Sequence, residues 1–172
     1  LRRRSDATLL LVGKSPNAKV RRLQSVRGVE LYADVPDVRP FVERSAVVVA
    51  PLRVGRGIQN KVLEAMAMGR PVLASPVALE GIEASPGRDV MVATAVDEWT
   101  QRLEELWIDR DKRWAVAKSA RRFVETHHSW DTCLSPFGDA LDRLGPAESP
   151  TNKRHRKVAL PGVTAGRAPT AT

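Results

Sequence analysis

Ala46-Val47-Val48-Val49-Ala50-Pro51-Leu52-Arg53-Val54-Gly55-Arg56-Gly57-Ile58-Gln59-Asn60-Lys61-Val62-Leu63-Glu64-Ala65-Met66-Ala67-Met68-Gly69-Arg70-Pro71-Val72-Leu73-Ala74 is the stretch on which the fold turns. Ala46–Ala50 is a short, wholly apolar run, as expected of a strand covered on both faces. A glycine-bearing loop, Arg53–Gly57, follows it. The next residues repeat apolar positions at helical spacing up to Met68, where Gly69 marks the stop. Pro71–Ala74 then reads as another buried strand. Strand, loop, helix and strand in this order make a parallel unit.

The neighbouring segments repeat the alternation. Ala7–Val12 and Val29–Ala33 read as strands, with Asn17–Val26 between them as a short polar helix whose buried stripe is Val20, Leu23 and Val26. Asp37 is placed to cap a helix that runs to Arg44. Asp89–Ala93 is a fifth strand. From Asp97 the chain reads as helical, over Asp97–Ile108, Asp111–His127 and Trp130–Leu144. Trp99, Leu103 and Leu106 share one face of the first of these, and Trp114, Ala117 and Val124 stripe the second. The four tryptophans are expected in the core, and so is Cys133. This pattern predicts an α/β fold with a doubly wound parallel sheet. Residues 1–144 form its domain, and 145–172, aperiodic and rich in Pro, Ala and Thr, are expected to be a disordered basic tail.

Composition narrows the function. The 172 residues carry a net charge of +8, which raises a nucleic-acid-binding module as one reading. That charge lies at the ends: residues 1–28 balance to +7 and 145–172 to +4, while 29–144 balance to −3. One tyrosine, Tyr32, leaves little for a base-stacking platform. No nucleic-acid partner is therefore expected. No apolar run approaches the roughly 20 residues of a membrane-spanning helix. Leu1-Arg2-Arg3-Arg4 lacks the apolar stretch of a signal peptide and reads as the end of a helix, so the chain is expected to begin inside a larger protein. A single cysteine fits a reducing compartment, and two adjacent histidines with a third in the tail make no zinc pattern.

In open parallel sheets ligands sit beyond the carboxyl ends of the strands. Gly55 and Gly57 let the backbone approach a ligand there, and the helix that follows aims free N–H groups outward, an arrangement suited to a diphosphate. A tight strand-to-helix turn accounts for the same two glycines. Lys61 and Glu64, three apart, share the helix face opposite Ile58, Val62, Leu63 and Met66. Glu64 can accept two hydroxyl hydrogen bonds, as from a ribose; a surface Lys–Glu pair is the alternative.

The run Pro51–Ser75 resembles the donor-binding core of GT-B glycosyltransferases, in particular glycosyltransferase family 4. Gly57–Met68 is closest to the sugar transferases associated with the PEP-CTERM/exosortase system. Asp34–Pro40 and Ser129-Trp130 agree with that group, so the resemblance covers residues 7–144. It implies that the chain is the Rossmann-like C-terminal half of a GT-B enzyme with its first strand–helix unit missing. Glu64 matches the second glutamate of the E-x7-E motif, which holds the donor's ribose. Gly55, Gly57 and Ile58 match the diphosphate cradle, and Val35 the backbone contact to the nucleobase. Lys61 is assigned here to a phosphate or sugar oxygen. The first glutamate of the motif is Arg56 in this chain, which leaves the donor sugar open.

The activity implied is that of a retaining, metal-independent glycosyltransferase of hexosyltransferase type, serving exopolysaccharide or cell-envelope glycan synthesis. Its partners would be a nucleotide-sugar and a glycan or lipid-linked acceptor, with no cofactor. A GT-B-fold sugar-nucleotide epimerase is a close variant. The expected location is cytoplasmic, with peripheral contact at the inner face of the membrane. The family's leaving-group Arg and Lys have no counterpart here, and the chain alone is expected to be inactive.

Overall fold

The computed structural model describes residues 6–144; the Arg2–Arg4 segment and the tail from 145 lie outside them. Five strands alternate with helices: β1 (Leu9–Gly13), α1 (Ala18–Arg22), β2 (Val29–Ala33), α2 (Arg39–Arg44), β3 (Val48–Ala50), α3 (Asn60–Ala67), β4 (Val72–Ala74) and β5 (Met91–Val92), then α4 (Val96–Ile108), α5 (Arg110–His127) and α6 (Trp130–Leu144). Short 3-10 turns lie at Leu23–Ser25 and Pro76–Leu79. Residues up to Ser135 form one compact unit, and a second unit begins at Pro136, inside α6.

Every strand pair is parallel, but there are two sheets. β1 pairs with β2 in register Leu9 to Val29, and a separate sheet has the order β3-β4-β5, with Val48 opposite Val72 and Leu73 opposite Met91. Among the described residues β1, β2, β3 and β5 each keep one edge without a strand neighbour. The fold is α/β with parallel strands throughout, the class the sequence predicts.

The three-stranded sheet carries the core because alternate residues face opposite sides. Val72 and Ala74 of β4 pack on one side with Val62 and Met66 of α3 and Ala120 and Phe123 of α5. Leu73, between them, packs on the other with Met91, Leu106 of α4 and Val116. Burying side chains of this size contributes about 1.5–3 kcal/mol each. By contrast, no residue of β1 or β2 is fully buried.

Several expectations need correction. Pairing begins only at Val48, whose amide donates to Pro71 O. The fifth strand is shorter than Asp89–Ala93, because the Asp89 amide is used in a turn, donating to Ser85 O. The stripe of the first helix is not buried: Leu23 and Val26 are exposed. In α3 the buried residues are Val62, Ala65 and Met66, while Leu63 is half-buried and Ile58, before the helix, is exposed. In α5 the buried face is Val116, Ala117, Ala120 and Phe123, which turns Trp114 outward at 65% exposure. Trp130 is exposed too, as is Cys133. Trp99 packs against the second cluster as expected.

Candidate nucleotide-sugar site

β3 ends at Ala50 and delivers the chain into the loop Pro51–Gln59 at the carboxyl edge of its sheet. Ser75, nearly buried at the end of β4, anchors that loop: its hydroxyl donates to Leu52 O at 2.7 Å, and its amide to Ala50 O. Gly55 packs against the 3-10 turn so closely that a Cβ would lie 3.2 Å from Val77 Cγ1. Gly57 has φ +67°, a conformation L side chains avoid, and the Gln59 side chain closes the turn by donating to Gly57 O at 3.1 Å. Ile58, half-exposed, lies over Gly81.

α3 then starts without a cap. No side chain accepts from its first amides, whereas Asn17 caps α1 and Asp109 caps α5. At α4, Glu98 accepts from the amides of Thr94 and Ala95, bonds that hold its carboxyl below the ordinary glutamate range. The amides of Val62 and Leu63 donate to Gln59 O, which leaves those of Asn60 and Lys61 as the open donors at the start of α3, next to the glycine loop.

Lys61 and Glu64 are exposed on the first turns of α3. Among the described residues they form no ion pair with each other, so the surface-pair alternative has no contact to rest on. Neither side chain has a hydrogen-bond partner there, which leaves the Glu64 carboxylate open to hydroxyl donors.

Val35 stands apart from these five residues. It is half-buried in the loop after β2, in the other sheet. That loop is a tight one: Asp34 has φ +55°, donates its amide to Gly13 O, and accepts the amide of Ser15 at 2.8 Å. A little further on, the Arg39 side chain and amide donate to the Asp37 carboxylate and hold it below the usual aspartate range. No hydrogen bond joins this loop to the glycine loop among the described residues. Ser75, Gly81 and the Asp34 turn escaped sequence reading. The two glycine and aspartate turns depend on backbone angles that single residues do not announce. Among the described residues no group of three His, Cys, Asp or Glu could hold a metal ion.

The model of a family described as glycosyl transferases group 1 matches residues 1–109. The chain belongs to that family. Solved structures share its fold at low identity. Anabaena HepE, determined in complex with UDP and glucose, superposes with TM-score 0.67 at 17% identity, over 79% of this chain and 40% of its own. Sucrose-phosphate synthase from Thermosynechococcus elongatus gives 0.68 at 21% identity, over 80% and 38%. A curated relative, glycosyltransferase 1 domain-containing protein 1 of Xenopus tropicalis, is 24% identical over 112 residues, 64% of this chain. The chain spans about a third of that relative (32%) and about two fifths of the two solved structures. No helix among the described residues is long and apolar enough to cross a membrane.

Proposed function

We propose that the chain is the donor-binding part of a retaining glycosyltransferase, moving a sugar of hexose type from a nucleotide-sugar to a glycan or lipid-linked acceptor. We assign it to glycosyltransferase family 4, near the PEP-CTERM/exosortase-associated transferases, and so to exopolysaccharide or cell-envelope glycan synthesis. The observation that carries the reading is the uncapped start of α3 behind Gly57, with the unpartnered Glu64 carboxylate one turn on. The neighbour HepE, crystallised with UDP-glucose, supports the choice of ligand class.

In this reading Gly55, Gly57 and Ile58 shape the diphosphate cradle. The free N–H groups of α3 meet negative charge as it grows on the departing phosphates, while an acceptor hydroxyl attacks the anomeric carbon. Glu64 accepts the two ribose hydroxyls, Lys61 reaches a phosphate or sugar oxygen, and the backbone at Val35 meets the base. No metal is required in this scheme. The active protein sits in the cytoplasm at the inner face of the membrane.

Calorimetric titration of the 172-residue chain with UDP and then other nucleoside diphosphates tests this. Glu64→Gln is expected to weaken binding about tenfold or more, since a hydrogen bond to a charged group contributes about 1.5–3 kcal/mol. Arg56→Ala should change it less. Equal affinity for the parent chain and Glu64→Gln sinks the assignment.

A further inference from the structure

The opposite edge of the three-stranded sheet carries a second basic feature that donor binding does not use. The segments leading into β3 (Ser45-Ala46) and β4 (Gly69-Arg70-Pro71) line a cavity of about 280 Å³, with Arg44, Arg110, Arg113 and Trp114 around it. A second cavity of about 280 Å³ shares Gly69, Trp114 and Ala117 with the first and adds Lys118 and Arg121. No aspartate or glutamate lines either one. Six cations therefore meet here, within a body, residues 29–144, whose balance is −3.

The cations are held in different ways. Arg113 Nη1 donates to the last carbonyls of α4, Leu106 O at 2.8 Å and Trp107 O at 3.1 Å. Arg44 lies over the rings of Phe41 and Tyr32, at 4.8 and 5.2 Å. Lys118 Nζ is 5.0 Å from the Trp114 ring centre, and Arg121 pairs with Glu125 on the outer side. Two are uncommitted. Arg110 is exposed and makes no hydrogen bond or ion pair among the described residues. Arg70 Nε is buried without any hydrogen-bond partner, an arrangement that folded proteins seldom leave unmet.

Like charges gathered around a cavity, with one buried guanidinium nitrogen unpaired, call for an anion of high charge density. Guanidinium groups match the oxygens of a phosphate, monoester or diester, by paired N–H donors. We propose that this basin binds a phosphate group, with Arg70 and Arg110 as its principal donors and Trp114 as its rim. The phosphate belongs either to a soluble phosphorylated compound or to a phospholipid headgroup. The site lies at the amino ends of β3 and β4, away from the glycine loop, and stands independently of the donor-binding reading.

The test follows the amide signals of Gly69 and Arg70 and the indole signal of Trp114 by NMR while inorganic pyrophosphate is added to the 172-residue chain. These signals are expected to shift saturably, with affinity falling about tenfold in Arg110→Gln and in Arg70→Gln. Glu64→Gln should leave the shifts unchanged, which separates this basin from the glycine loop. Arg110 is exposed, so Arg110→Gln reports even where Arg70→Gln disturbs folding. Sedimentation with vesicles of phosphatidylcholine alone, or with about one-quarter phosphatidylglycerol, identifies the source. Arginine-dependent capture by the anionic vesicles assigns a headgroup, and pyrophosphate binding without capture assigns a soluble ligand. Absence of both, or binding that Arg110→Gln leaves intact, overturns the proposal.

Discussion

Ser119 on α5 donates a hydrogen bond of 2.5 Å to Oδ1 of Asp89, tying the helix to the turn that leads into β5. Asp89 is 2% exposed, and it also accepts from the Arg88 guanidinium and from the Ser85 amide at 2.9 Å. Burial alone pushes this carboxyl up; the bonds from Arg88, Ser119 and Ser85 outweigh it and bring the pKa down to about 2.

The pH dependence follows from that direction. The folded pKa lies below the ordinary 3.8, so the folded state gains stability above that value and loses it as pH falls toward 2. The gain is on the order of 2 kcal/mol. Thermal midpoints measured from pH 5 to pH 2 should fall in the parent chain. Asp89→Asn should start lower at pH 5 and show a flatter profile over the same window.

Leu106 is fully buried between Leu73, Met91 and Val116. Leu106→Ala should cost about 2–5 kcal/mol, the usual range for a core leucine. Leu103, one turn earlier and 36% exposed, should cost less than half as much when changed to Ala. Urea denaturation at constant m-value checks both.

Gly57 and Gly13 both have open space where a Cβ would go, but only Gly57 has positive φ. Gly57→Ala therefore isolates backbone strain of about 1–2 kcal/mol. Gly13→Ala should be near neutral. Thermal midpoints of the two variants, compared directly, give the answer.

Offered nucleotide-sugars and lipid-linked acceptors, the 172-residue chain is expected to release no nucleoside diphosphate in an acceptor-dependent way. The proposed reading assigns the glycine loop, Lys61 and Glu64 to the donor and no described residue to the acceptor. Acceptor-dependent turnover above background would overturn that division.

Much of the architecture was legible because its signals are local. Apolar runs fixed β3 and β4, and the stop at Gly69 is real, with φ +65° just past the end of α3. Ser129 opens α6 as read, its hydroxyl accepting from the Thr132 amide. The glycine loop and the face shared by Lys61 and Glu64 were equally plain. What failed was the assignment of faces. In α5, Trp114, Ala117 and Val124 fit one stripe, yet Val116, Ala120 and Phe123 fit a neighbouring one, and only the packed sheet chooses between them. Hydropathy also misplaced Cys133, because α6 presents Leu134, Phe137 and Leu141 as well as Cys133 to the exterior. The division of the sheet depends on which strands find neighbours, a relation between distant segments that a linear pattern does not contain.

That division has a practical consequence for spectroscopy. Tyr32, the chain's one tyrosine, lies on β2 in the two-stranded sheet, while all four tryptophans lie on α4, α5 and α6. Among the described residues no hydrogen bond joins the two sheets, and of the residues before β3 only Val42 packs against the main apolar cluster. Tyrosine and tryptophan emission thus watch different parts of one molecule. Melting curves read at the two dyes nature supplied should not superimpose, with the tyrosine signal changing first.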